Sequence, residues 1–299
     1  MKQVWNWQGL QIAWQVEGEN FNSPIAVLFI HGFGASKDHW RFNQKAISSI
    51  ATCYALDLVG FGESSQPKAI LSSERIQPNS FNYCFDSWSE QIIHFCDENI
   101  KKPVILIGNS IGGVVALNAS KVLGKRCPSL ILIDCAQRTM DDKRLSEQSL
   151  LMRFLRQIIK TLVRQRLLSS TLFKNAANPT FIEKILKIAY PSGKNINQDL
   201  INILYKPTQR KGAPEAFRGF INLFDDHLAP HLLENLDIPV YLIWGKKDPW
   251  EPIEEAQRWQ QTYKCIKSLD IIDEAGHCPH DEMPDKVNTI ISKIIQEAI

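Results

Sequence analysis

A chain of 299 residues with a formal net charge of +2 is long enough to bury a sizeable core and too evenly charged to argue for a nucleic-acid partner. Hydrophobic residues at 44% and charged residues at 22% fit a soluble globular protein and argue against disorder. Seven cysteines, none in a C-x-x-C pair, speak against zinc and for reduced thiols in a cytoplasm-like compartment. The N-terminus alternates polar and apolar residues, unlike a signal peptide, and no run approaches the roughly 18 apolar residues of a membrane span.

Two short alternating runs, 4–7 and 10–16, flank Gly9 and predict a β-hairpin with aromatic residues on one face. The apolar run 25–30 predicts a buried strand ending in His31-Gly32-Phe33-Gly34, followed by a helix-like segment, 36–50, and a strand, 53–58. Beyond a polar loop, 64–80, residues 85–100 show helical spacing until Pro103 stops them. A strand over 104–107 leads to Ser110, a helix over 114–123 and a strand over 129–134. Strands alternating with helices in this way predict an α/β fold with a mostly parallel central sheet covered on both faces.

The alternation lapses between Gln137 and about Pro230, where an amphipathic segment (145–168) and shorter helical pieces (181–189, 200–204, 214–224) predict a helical insertion. The expected organisation is a core over 1–136, a helical cap over 137–230 and the core again over 231–299. A strand over 240–244, a helix over 254–262, a strand over 268–272 and a closing helix over 285–298 complete the chain.

Gly108-Asn109-Ser110-Ile111-Gly112 spells G-x-S-x-G, a turn that holds a nucleophile between strand and helix, with glycines where side chains would clash. A serine hydroxyl needs a base, usually histidine, oriented by a carboxylate. Asp248 and His277 follow later strand ends, so the order Ser110, Asp248, His277 is nucleophile, acid, base, with each on a loop at the carboxyl edge of the expected sheet. A tetrahedral intermediate also needs two donors, expected from the backbone N–H groups of Phe33 and Ile111. His39 and Trp40, near that loop, are candidates to line the substrate pocket, with packing as the alternative. Asn109 and Trp250 are further candidates for substrate contact. His280 is expected at the surface or behind the base, Asp57 as a turn residue, and Asp273 and Glu274 as loop carboxylates. The cysteines read as small buried hydrophobes.

With these residues in hand, the chain resembles the α/β-hydrolase superfamily from about Val4 to the C-terminus. More narrowly it is similar to the chlorophyll dephytylase and pheophytinase-like hydrolases of cyanobacteria and chloroplasts. The matching stretches are 5–9 (WNWQG), 31–41 (HGFGASKDHWR), 55–64 (ALDLVGFGES), 108–113 (GNSIGG), 244–252 (WGKKDPWEP) and 276–288 (GHCPHDEMPDKVN). The resemblance implies Ser110 as nucleophile, His277 as base, Asp248 as orienting acid and Phe33 and Ile111 as oxyanion donors, with no cofactor. It further implies a phytyl ester of a chlorophyll-type pigment as substrate; the expected location is cytoplasmic, with contact at the periphery of a thylakoid-type membrane as an open alternative. General carboxylester hydrolysis, carbon–carbon bond hydrolysis by the same triad, and a non-catalytic ligand receptor are the alternatives, whereas carboxylate-dependent dehalogenation is disfavoured by the serine.

The cap bears on the partner. Over 137–176 nine basic residues stand against three acidic ones, and Leu151, Leu155, Ile158, Ile159 and Leu162 form an apolar stripe. A basic amphipathic helix can lie on an anionic membrane. The plainer expectation, preferred on the sequence, sets the apolar side over the pocket and the charges in water.

Overall fold

Runs of β-branched and aliphatic residues bury most cheaply as inner strands of a covered sheet, and the computed structural model, which describes residues 2–19, 23–72 and 74–298, is built on them. The main sheet comprises β1 (Lys2–Trp7), β2 (Leu10–Glu17), β3 (Ala26–Ile30), β4 (Thr52–Leu56), β7 (Val104–Asn109), β8 (Leu130–Ile133), β9 (Val240–Gly245) and β10 (Ile266–Ile272), in spatial order 1-2-4-3-7-8-9-10. β1 pairs with β2, and β2 with β4, antiparallel; the rest are parallel. Two-residue strands, β5 (Lys68–Ala69) and β6 (Ser80–Phe81), form a separate pair within what the sequence presents as a polar loop.

Side chains along each inner strand alternate between two layers. Leu28, Ile30, Val104 and Leu106 face α2 (Phe85–Phe95) and α3 (Ile111–Leu123), whereas Val27, Phe29, Ile105 and Ile107 join Ile47 of α1 (Gln44–Ile47) and Val287 and Ile291 of α12 (Pro284–Ala298). Each such side chain contributes on the order of 1.5–3 kcal/mol on burial. The hairpin turn places Gln8 and Gly9 at positive φ, and Trp5, Trp7 and Trp14 pack on the first layer.

Between β8 and β9 the chain leaves the sheet for α4 (Leu150–Arg164), α5 (Arg166–Ala176), α6 (Pro179–Ala189), α7 (Gln198–Thr208), α8 (Ala213–Ile221) and α9 (Ala229–Leu233). After β9 come α10 (Ile253–Thr262), then β10, α11 (Pro279–Glu282) and α12. No helix among the described residues is long and apolar enough to cross a membrane. The described cysteines are unpaired, and all but Cys84 are buried.

Two local expectations are corrected. Segment 36–50 is a 3₁₀ turn (Lys37–Trp40) plus the short α1, because Lys37, His39, Trp40 and Gln44 are all drawn inward. The 145–168 segment is not continuous: Gln165 is extended and separates α4 from α5.

Candidate active site

The parallel register brings the carboxyl ends of β3, β7, β8, β9 and β10 to one edge, where an open α/β sheet places its ligands. Ser110 leaves β7 at φ 54°, ψ −122° and directly precedes α3. Its own N–H bonds Ile133 O (3.0 Å) and its carbonyl accepts from Gly113 and Ala136 (3.0 and 3.1 Å), which fixes a conformation that costs a non-glycine residue on the order of 1 kcal/mol or more. The turn is tight: a Cβ on Gly112 would lie 2.3 Å from Ile30 O, and one on Gly32 would lie 3.1 Å from Ser110 Cβ. The loop after β3 is thus pressed against the serine. Below it, His31 is buried, with Nδ1 donating to Gly32 O (2.8 Å) and Nε2 accepting from Leu58 N–H (3.0 Å); burial lowers its pKa to about 4 and keeps it neutral. Asp57 accepts from the N–H groups of Lys37 and Glu63 (2.6 and 2.7 Å), the turn role expected of it.

His277 Nδ1 lies 2.7 Å from Asp248 Oδ2, and Asp248 Oδ1 accepts from the N–H groups of Trp250 (2.8 Å) and Glu251 (3.1 Å). Burial alone would raise the Asp248 pKa, but the bonds from His277 and Trp250 outweigh it and hold the carboxyl below its usual range. The Asp248 bond leaves Nε2 as the imidazole nitrogen it does not engage. Among the described residues, Ser110 Oγ and His277 are not hydrogen-bonded to each other. What couples the two loops is Asn109: its Nδ2 donates to Ile133 O and His277 O, both at 3.1 Å. The N–H groups of Phe33 and Ile111 take no backbone partner among the described residues, Ile111 being at the first position of α3, where helix amides are left over.

Of the four side chains expected to touch substrate, Trp250 stands at the site, half-exposed with its ring edge-to-face on His277 at 4.9 Å. The other three are buried. Asn109 is buried as the clamp just described. Trp40 is fully buried between Phe29 and His280 (ring centroids 4.9 and 4.3 Å), a packing role. His39 is buried and bonds Tyr190 Oη at 2.8 Å. His280 is not at the surface: it is fully buried, neither ring nitrogen has a partner among the described residues, and burial holds its pKa well below the ordinary histidine value. Asp273 and Glu274 are exposed and paired with Lys246 and Lys286.

Several residues at this edge escape the sequence reading. Asp134, at φ 43° and fully buried just past β8, accepts from Gly245 N–H at 2.9 Å. Burial and the charge of Asp248 hold its carboxyl well above the carboxylate range. An acid at the end of an apolar strand beside the serine's strand is a signal the sequence did contain. Half-buried Glu251 accepts from Gln137 N–H (2.8 Å), and desolvation raises its pKa to about 7. A network behind the histidine joins Arg41 to Asp281 in a two-point ion pair (2.7 and 2.9 Å), and Asp281 accepts from Tyr190 Oη (3.0 Å). Ala189 O accepts from His277 N–H (2.9 Å), so the end of α6 also holds the histidine loop.

Beside the loop after β3 lies an aromatic cavity lined by Phe33, Phe61, Phe173, Pro207, Ala216 and Phe217. Phe220 of α8 stacks on Phe33 at 3.7 Å, so the inserted helices form one wall. Among the described residues, no group of three or more His, Cys, Asp or Glu side chains is gathered so as to hold a metal ion.

The family model for the alpha/beta hydrolase fold matches residues 25–284. The chain is 24% identical over 300 residues to the chloroplastic pheophytinase of Arabidopsis thaliana, covering 91% of this chain and 61% of that protein. It is 25% identical over 283 residues to the dihydrolipoyllysine-residue acetyltransferase component of the acetoin cleaving system of Pseudomonas putida, covering 94% of this chain and 65% of that one. The chain therefore spans under two thirds of the length of these relatives. In fold, it is similar to a thermophilic esterase from Thermogutta terrifontis, with a TM-score of 0.72 and 20% identity over 100% of this chain and 99% of the other.

Proposed function

The chain belongs to the α/β-hydrolase fold family, and from that premise we propose that it is a serine hydrolase of carboxylic esters. One observation carries the reading: the 2.7 Å bond between His277 Nδ1 and Asp248, on a loop that Asn109 ties to the Ser110 turn. His277 takes the Oγ proton on Nε2 as Ser110 attacks the ester carbonyl. The carbonyl oxygen becomes an oxyanion held by the N–H groups of Phe33 and Ile111, helped by the dipole of α3. The C–O bond to the alcohol breaks, the alcohol leaves with the proton from His277, and water, deprotonated by the same imidazole, cleaves the acyl-enzyme. Asp248 keeps the imidazole in the Nδ1–H form and stabilises it once protonated.

Within that chemistry the substrate class we propose is an ester with a long apolar group, and the phytyl ester of a chlorophyll-type pigment is its specific candidate. The aromatic lining beside Phe33 supports the first, and the 24% identity to a pheophytinase over 91% of the chain supports the second. The inserted helices would act as a cap that selects substrate, since Phe173 and Phe217 belong to them. A fluorophosphonate probe is expected to label Ser110; absence of labelling in the folded protein overturns the serine-hydrolase reading. Release of free phytol from detergent-dispersed pheophytin or chlorophyll tests the substrate. Rapid cleavage of short p-nitrophenyl esters without phytol release would reduce the assignment to a general esterase.

A further inference from the structure

An amphipathic helix in a water-soluble protein turns its apolar stripe inward, and α4 does the reverse. Its inward side is Arg156 and Val163: Arg156 Nε donates to Met140 O at 2.8 Å and its guanidinium pairs with Asp142, as does Lys160 (2.7 Å). The outward side carries Leu151, Phe154, Leu155, Ile158 and Leu162, all exposed. Leu167, Leu168 and Leu172 of α5 and Phe181, Ile185 and Ile188 of α6 are exposed as well, and α5 packs against both α4 and α6. Apolar exposure on neighbouring helices of this kind marks a docking site rather than a solvated face.

The charge on these helices selects what docks. From Leu150 to Ala189 there are eight basic residues and one acidic residue, Glu183. Exposed Arg164, Lys174 and Lys184 make no ion pair among the described residues. Apolar side chains fringed by unpaired cations, with almost no anions, match a lipid surface bearing negative headgroups. A second copy of the chain would bring the same cations against themselves.

We propose that the outward faces of α4, α5 and α6 seat this protein on an anionic lipid bilayer, with the apolar stripe of α4 inserted at the interface. The placement deepens the ester-hydrolase reading, because α5 exposes Leu172 while its neighbour Phe173 lines the aromatic cavity beside Phe33. One helix thereby carries residues both on the outward face and on the wall of that cavity. An ester drawn from the membrane would enter past it.

The test is flotation of the full chain with vesicles of phosphatidylcholine mixed with phosphatidylglycerol, and with phosphatidylcholine alone. The wild type is expected to float with the anionic vesicles and to be released by raised salt. A Leu151→Glu, Phe154→Glu, Ile158→Glu variant should partition at least about tenfold more weakly while its hydrolysis of soluble p-nitrophenyl butyrate is unchanged. A Leu151→Ser, Ile158→Ser variant gives the same comparison should the triple variant fail to fold. The Ser110→Ala protein should bind like the wild type, so binding is read independently of catalysis. A wild type that stays unbound, a glutamate variant that floats equally, or a vesicle-independent dimer abolished by that variant overturns the proposal.

Discussion

At the carboxyl edge of the sheet a single methyl group has nowhere to go, as the 2.3 Å approach of a Gly112 Cβ to Ile30 O shows, while on α4 whole leucine side chains stand in solvent, Leu151 at 66% exposure. The sheet edge is built by its own interior: strand register, backbone bonds to Ser110 and the Asn109 clamp fix positions before any ligand arrives. The inserted helices are held by polar anchors such as Arg156 and Asp142 and leave apolar surface uncovered. Preorganised chemistry tolerates little change, whereas a surface that meets its partner outside the fold leaves stability largely indifferent to its sequence.

Substitutions break this contrast in order of size. Ser110→Ala should abolish ester turnover, with kcat falling by about 10⁴-fold or more and circular dichroism unchanged; retained turnover would place the chemistry elsewhere. Asp248→Asn is expected to lower kcat by roughly 10³–10⁴-fold, because the imidazole loses its orienting charge. By contrast Asp134→Asn should stay within about threefold, since burial already pushes the carboxyl it replaces well above the carboxylate range, toward the neutral form that Asn mimics. Equal losses at the two acids would show that Asp134 carries the charge.

Gly112→Ala should destabilise by about 3 kcal/mol or more in a denaturant titration, as Ile30 O is backbone and has no rotamer to yield. His280→Phe tests the buried histidines. A histidine whose folded pKa is depressed is neutral in the fold, so the unfolded chain binds the extra proton and stability falls as pH drops below about 6.5 toward the folded value. The variant removes that linkage: its melting temperature relative to wild type should be higher at about pH 5.5 than at about pH 8, and a pH-independent difference would refute the linkage. The smallest effect belongs to the insertion, where Leu151→Ser should change stability by less than about 0.5 kcal/mol.

Much of the sheet edge was legible in the chain because its residues are local punctuation. An apolar run followed by a small-residue turn marks a strand end, and Ser110, Asp248 and His277 each follow one. Asp134 follows one too, after Leu130–Ile133, yet the serine already had an acid and nothing local says that a second carboxyl would be buried at the same edge. The network of Arg41, Tyr190 and Asp281 left no such mark, since Arg41 and Asp281 lie 240 positions apart. Trp40 and His39 are adjacent in sequence to the right loop, but that adjacency does not foretell their burial, Trp40 between Phe29 and His280 and His39 against Tyr190.

The chain by itself determined the strands, the covered parallel sheet and the type and order of groups at its carboxyl edge, since apolar periodicity and turn residues act over a few positions. It also determined that α4 would carry an apolar stripe and a basic one. Which stripe faces inward was a tertiary decision. Helical periodicity is unchanged by rotation about the axis, and only the position of Met140 O and Asp142 beneath the helix turned Arg156 and Lys160 toward the protein and the leucines toward the outside.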